Sequence, residues 1–188
     1  YSDNVEVREE SGTPNVIGDL RAALCLLVKD AITQDFITRR NRENTGKALK
    51  AWGSNPNIEL LGNLTCERLP IFSFRVRDGK GGYVHQQLVT RLLSDRYGIQ
   101  ARGGCACAGP YVHRLLEIDM DSSDRLRKEV LAGNEFEKPG SVRLNFSFLA
   151  TDMEVDTILH AVAELALSAN VDAALYQCDS ATATFALV

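Results

Sequence analysis

No stretch of this sequence approaches the ~20 consecutive apolar residues that a bilayer-spanning helix needs, so no membrane partner is expected. Basic excess is missing as well. With 21 Lys and Arg against 25 Asp and Glu, the net charge is -4, and nothing predicts the basic face that nucleic-acid phosphates require. The run Arg39, Arg40, Arg42 is followed by Glu43 inside a helical pattern and reads as a solvated face. An even set of cysteines is also lacking. Five cannot all pair, and a bridge between Cys105 and Cys107 would close a tight, strained ring. Reduced thiols in a cytoplasmic setting are therefore expected. The chain opens on Tyr1 and charged, polar residues, with no visible signal peptide. There is no repeat and no low-complexity segment.

What is present suits a globular fold. Hydrophobic residues make up 45% and charged residues 24% of the 188, enough to bury a core in one domain with an additional arm. From Val16, the apolar positions Ile17, Leu20, Ala23, Leu24, Leu27, Val28 and Ile32 recur at helical spacing. Thr13 suits the N-cap and Pro14 the first helical position. A second, polar helix over Phe36 to Trp52 stops at Gly53-Ser54-Asn55-Pro56.

Strands are predicted at Ile58 to Leu61, Leu69 to Val76 and Ile99 to Arg102, with a helix from Val84 to Arg96 closed by Gly98. Shorter helices follow at about Tyr111 to Ile118 and Ser123 to Leu131. Val142, Leu144, Phe146 and Phe148 alternate as a strand. Thr151 and Glu154 form a capping box for a helix reaching toward Asn170. The remaining tail carries no assignable pattern. The order predicts an α/β or α+β layer, a small sheet covered by helices.

The chemistry concentrates in Arg102-Gly103-Gly104-Cys105-Ala106-Cys107-Ala108. Glycines permit close approach to a ligand, a guanidinium binds a carboxylate through two parallel hydrogen bonds, and a cysteine beside positive charge can act as a nucleophile. A buried turn with packing cysteines is the bland alternative. Cys105, Cys107 and His113 offer a metal set, but the second ligand pair of a structural zinc site is not visible, so no metal is assigned. Gly12 and Thr13 at a helix start suit a phosphate, although such a tripeptide is more often an ordinary cap. Arg143 lies with Asn145 on the face opposite Val142 and Leu144, and gains interest only if that face meets the glycine-cysteine loop. His85, His113 and His160 read as surface or boundary residues. The loop at Gly79 to Gly82 lacks Walker spacing.

The loop from Arg102 to Ala108 resembles the active-site loop of class-V pyridoxal-phosphate (PLP) enzymes, in their cysteine desulfurase and selenocysteine lyase branch. Glu10-Ser11-Gly12-Thr13-Pro14 resembles the segment whose threonine reaches the cofactor phosphate of a neighbouring subunit. Val142-Arg143-Leu144 with Thr151 to Asp156 resembles the last core strand and helix. The resemblance implies the C-terminal small domain of a fold-type I PLP-dependent transferase. Residues 1–35 would be an arm and linker helix from the large domain, and 36–188 the small domain. It implies a substrate-carboxylate role for Arg102, a place near the active site for Arg143, a phosphate role for Thr13 and Gly12, and a persulfide-carrying nucleophile in Cys107. It further implies an amino-acid substrate, a homodimer, and a cofactor lysine elsewhere, because no Ser-x-His-Lys motif is present; the chain alone is then expected to be inactive. Cys105 and Ala106 stand where that branch usually carries histidines, which leaves another class-V aminotransferase, lyase or epimerase open. A non-catalytic dimerisation or metal-binding module is the remaining alternative.

Overall fold

The computed structural model describes residues 2–10, 12–105 and 109–188. The chain divides into two compact units, Tyr1–Arg40 and Asn41–Val188.

The first unit is helical. Helix α1 (Val5–Glu9) is capped by Asn4, whose side chain accepts from the N–H groups of Glu6 and Val7. Nothing in the sequence reading anticipated it. Helix α2 (Val16–Ile32) falls where the apolar spacing puts it, but its N-cap is Asn15 rather than Thr13. The Asn15 side chain accepts from Gly18 N–H at 3.1 Å, so Thr13 and Pro14 precede the helix. The cap competition is local: an asparagine two residues closer to the first turn wins over the threonine. None of the α2 side chains is buried within the chain. Thr33, with φ 72, separates α2 from α3 (Gln34–Trp52), within which the boundary between the units falls.

The second unit is built on a four-stranded antiparallel sheet in the order β1-β2-β4-β3. Its strands are β1 (Ile58–Leu60), β2 (Ile71–Val76), β3 (Arg102–Gly104) and β4 (Ser141–Asn145). Strand alternation separates the two faces. Phe72, Phe74, Val76, Val142 and Leu144 are buried on one side, while Ser73, Arg75, Arg143 and Asn145 point to the other. The core forms under the apolar face with Ala48 and Trp52 of α3, Leu88, Val89, Leu92 and Leu93 of α4 (Gln86–Tyr97), and α7 (Asp152–Asp172).

Trp52 sits at its centre, edge-on to Phe72 with centroids 5.5 Å apart, and its indole N–H donates to Leu159 O at 3.1 Å. Helix α7 is long and apolar enough, by length and composition, to cross a membrane. Here Val155, Leu159, Val162, Leu165, Ala166 and Ala169 are instead buried in the core. The Thr151–Glu154 capping box opens this helix as expected.

The strand ranges differ from those the sequence predicts, most of all in β3 and β4. Strand β3 is Arg102–Gly104, not Ile99 to Arg102, because residues after α4 first close that helix. Gly98 adopts φ 66, Ile99 N–H returns to Leu93 O at 3.1 Å, and pairing begins only beyond. Strand β4 ends at Asn145, where Phe146 N–H turns to Pro70 O. Between β3 and β4 lie α5 (Gly109–Leu115), α6 (Met120–Leu131) and a 3-10 turn at Glu135–Glu137. The unassigned tail forms a hairpin of β5 (Tyr176–Asp179) and β6 (Thr184–Leu187).

Candidate functional site

Arg102 and Arg143 are brought together by register. In the β3–β4 ladder Arg102 stands opposite Arg143, Gly103 opposite Val142, and Gly104 opposite Ser141. Residues directly opposite on antiparallel strands share a face, so both guanidiniums project from the side of the sheet turned away from the core. Ser73 of β2 occupies the next place in the same row. This is the meeting between the Arg143 face and the glycine-cysteine loop that the alternation of β4 left conditional. The Arg143 guanidinium has no hydrogen bond or ion pair with any described residue. Among the described residues, Arg102 Nη2 donates only to Cys105 O, at 3.4 Å.

The third arginine on this face is different. Arg75 is held by Glu59, Nε to Oε2 at 2.6 Å, with its guanidinium 3.8 Å from the centre of the Tyr83 ring. Burial pushes the Glu59 carboxyl up, but hydrogen bonds from Arg75 and Tyr83 and the positive charge of Arg75 and Arg77 prevail and hold it below the usual carboxylate range. Arg75 is thus neutralised, whereas no described acid pairs with either arginine of the Arg102–Arg143 rung.

Glycines make the rung possible. A Cβ on Gly103 would lie 3.0 Å from Gln86 O and from Gln87 Oε1, so β3 rests directly on the first turn of α4. Gln87 Nε2 also donates to Gly103 O at 3.4 Å. A Cβ on Gly140 would come within 2.6 Å of the Gly104 backbone. Here two main chains touch just where the chain enters β4 and leaves β3. Gly104, with φ +112, adopts a geometry that side chains avoid. The Gly103 and Gly104 pair was visible in the sequence; Gly140 and Gln87 were not singled out, because their partners are distant in the chain. A groove of about 500 Å³ runs beside Ala101, between Gln87 and Thr90 of α4 and Thr184 and Phe185 of β6.

The other candidates stand as follows. Cys107 lies outside the described residues, as do Ala106 and Ala108. Cys105, at the end of β3, is an exposed free thiol, like Cys25 and Cys66. Gly12, with φ +81, and Thr13 are exposed residues of the first unit, ahead of the Asn15 cap. His113 lies in α5 and His160 on the surface of α7. His85 caps α4. Among the described residues no cluster of metal-ligating side chains exists.

Comparison with known proteins follows the same lines. The class-V aminotransferase family profile matches residues 2–158. The chain is 27% identical over 150 residues to a probable cysteine desulfurase of Borreliella burgdorferi, covering 80% of this chain and 30% of that protein. It is 30% identical over 112 residues to human molybdenum cofactor sulfurase, covering 55% of this chain and 12% of that protein. Among solved structures it resembles an apo cysteine desulfurase from Thermococcus onnurineus NA1, with TM-score 0.63, 25% identity and coverage of 86% and 34%. A cysteine desulfurase from Escherichia coli gives TM-score 0.58, 26% identity and coverage of 85% and 32%. The chain therefore spans about a third of the length of the desulfurases it matches.

Proposed function

Because this chain belongs to the class-V aminotransferase family, we propose that it is the substrate-binding portion of a PLP-dependent, cysteine desulfurase-like enzyme. The observation that carries the reading is the pair of guanidiniums, Arg102 and Arg143, opposed on one exposed face with no carboxylate partner among the described residues. Like charges directly opposite on neighbouring strands repel. An anion that bridges them is the natural complement, and an amino-acid carboxylate has the planar, two-oxygen form that a guanidinium grips.

The residues present fit the carboxylate end of such a site and not its amine end. Arg102 and Arg143 would fix the substrate, and Gly12 and Thr13 would meet the cofactor phosphate, in a homodimer from the neighbouring subunit. The cofactor lysine would come from polypeptide outside this sequence, which has no Ser-x-His-Lys motif, so the chain by itself is expected to be inactive. When bound, pyridoxal phosphate supplies an electron sink conjugated to the substrate α-carbon.

Arg102 binds and orients the carboxylate, and Arg143 adds charge from the same rung. The Cys107 thiolate attacks the sulfur of a cysteine substrate. An S–S bond forms on Cys107, the substrate C–S bond breaks, and its electron pair stays with carbon. A thiolate is the reactive form, which suits a reducing, cytoplasmic compartment. A small amino acid is the partner this chemistry calls for, not a nucleic acid or a membrane.

Replacing Cys107 with Ser in the whole enzyme tests the route. Mass spectrometry of the wild type after exposure to L-cysteine should show one added sulfur on the Cys107 peptide, and the variant should neither gain it nor turn over. Retained turnover in the variant would rule the persulfide route out. A second reading, a class-V aminotransferase, lyase or epimerase in which Cys107 is not the nucleophile, is favoured by Cys105 and Ala106 at positions where the desulfurase loop carries histidines. Retained turnover would select it.

A further inference from the structure

His85 makes two hydrogen bonds that together allow a single protonation state. Its Nδ1 faces Gln87 N–H at 3.2 Å and must accept. Its Nε2 faces Phe136 O at 3.1 Å, and a carbonyl cannot donate, so Nε2 must carry the proton. The ring is also stacked on Phe136, with centroids 4.6 Å apart and planes inclined by 13°, and lies 5.3 Å from Phe185 of β6. One neutral imidazole thus joins the start of α4, the 3-10 turn and the C-terminal hairpin.

What the start of α4 supports is β3. Gly103 rests on Gln86 O and on the side chains of Gln87 and Thr90, and Gln87 holds Gly103 O. Gln86 Nε2 donates to Lys138 O, two residues before the Gly140 contact with Gly104. The residue beside this support is Arg102. We propose that His85 is a positioning residue for Arg102: as the neutral Nε2–H tautomer it fixes the first turn of α4, and its protonation loosens the hold of the Arg102–Arg143 pair on a carboxylate. This rests on the carboxylate reading of that pair.

The surroundings favour the neutral ring. Burial pushes its pKa down, while the Phe136 carbonyl and the Glu137 charge pull the other way. Around it, the 3-10 turn and its end bring Glu135, Glu137 and Lys138; Lys138 is ion-paired to Glu135, and Glu137 faces Arg125 at 3.8 Å. From the sheet side come Arg75, engaged by Glu59, and Tyr83. Arg91, further along α4, is bound to Asp95, and β6 presents uncharged Phe185 and Thr184. Protonating Nδ1 would turn a cap acceptor into a donor aimed at Gln87 N–H and place positive charge at the positive end of the α4 dipole.

The test uses the full chain in solution. Nitrogen-15 spectra recorded between about pH 5 and 8, the interval in which histidine titrates, report the His85 ring together with the Gly103 and Gly104 amides. The ring should be the Nε2–H tautomer at neutral pH, and both glycine amides should shift with its midpoint. In His85→Asn, which keeps a cap acceptor but has no ionisable ring, those shifts should vanish while the first turn of α4 stays ordered. L-alanine is the carboxylate probe, followed through the Arg102 and Arg143 Nε–H signals. Its affinity should fall several-fold toward acid in the wild type and remain level in His85→Asn.

Glycine amides indifferent to the His85 titration would overturn the proposal, as would an Nδ1–H tautomer at neutral pH. If the amides follow His85 but alanine moves neither arginine at any pH, the linkage from His85 to β3 stands, and the carboxylate reading of the pair fails.

Discussion

Arg102 and Arg143 face each other across the β3–β4 ladder, two guanidiniums on one rung of the sheet with no acid paired to either among the described residues. Sheets normally place opposite charges or apolar pairs at such positions, and like charges there are destabilising. Replacing Arg143 with Gln should therefore stabilise the empty chain by about 0.2–1 kcal/mol at low ionic strength, with a smaller gain in high salt, where screening already weakens the repulsion. Urea unfolding of the two forms at both salt levels measures it. In the whole enzyme the same variant should raise KM for the amino acid, the opposite direction in utility.

Gly140→Ala should do the reverse. The added methyl would come within 2.6 Å of the Gly104 backbone, and main chain cannot swing aside as a side chain can. A loss of about 1–3 kcal/mol is expected, the range for overpacking, together with disturbed pairing between Gly104 and Ser141. Amide exchange of β3, compared with that of β1, should show the damage confined to the edge of the sheet that carries Arg102.

Trp52→Ala should cost about 3–5 kcal/mol, as large aromatic truncations do. Its ring is fully buried among Phe72, Phe74 and Phe146, and its N–H satisfies Leu159 O. Trp52→Phe should recover much of the packing but lose the indole hydrogen bond to Leu159 O. Chemical denaturation of the two variants separates the contributions.

At the start of α7, hydrogen bonds from the Thr151 backbone and then its hydroxyl hold the Glu154 carboxyl below its usual range. A depressed carboxylate contributes fully above the unfolded value, about pH 4.3, and loses that contribution as pH falls through the folded value. Glu154→Gln keeps the reach of the capping box without the titration. Melting temperature plotted against pH should show a shallower acid limb in the variant.

Local signals carried much of this architecture. The helices α2, α4 and α7 follow from apolar spacing and from Gly98, Thr151 and Glu154, and the polar α3 from its stop at Gly53-Ser54-Asn55-Pro56, all signals that act within a turn of themselves. The outward face of Arg143 follows from alternation alone. The rung it shares with Arg102 does not, because register is settled between strands almost forty residues apart in sequence, by the backbone contact of Gly140 with Gly104 and the seat of Gly103 on Gln86 and Gln87. The start of α2 was misplaced because Thr13 and Asn15 are both good caps and only the geometry chooses. The terminal hairpin had a readable signal in the alternation of Thr184-Phe185-Ala186-Leu187 after Asp179, whose side chain closes the turn by accepting from Ala181 N–H and Thr182 Oγ1.

Helix α2 has a practical consequence of its own. Ile17, Leu20, Leu24, Leu27 and Val28 are all 57–68% exposed, an oily ridge that water wets poorly. Handled alone, this polypeptide should stick to hydrophobic resins, light up environment-sensitive dyes and gather into soluble clusters as its concentration rises. Exchanging Leu20, Leu24 and Leu27 for Gln should make it well behaved without altering the second unit.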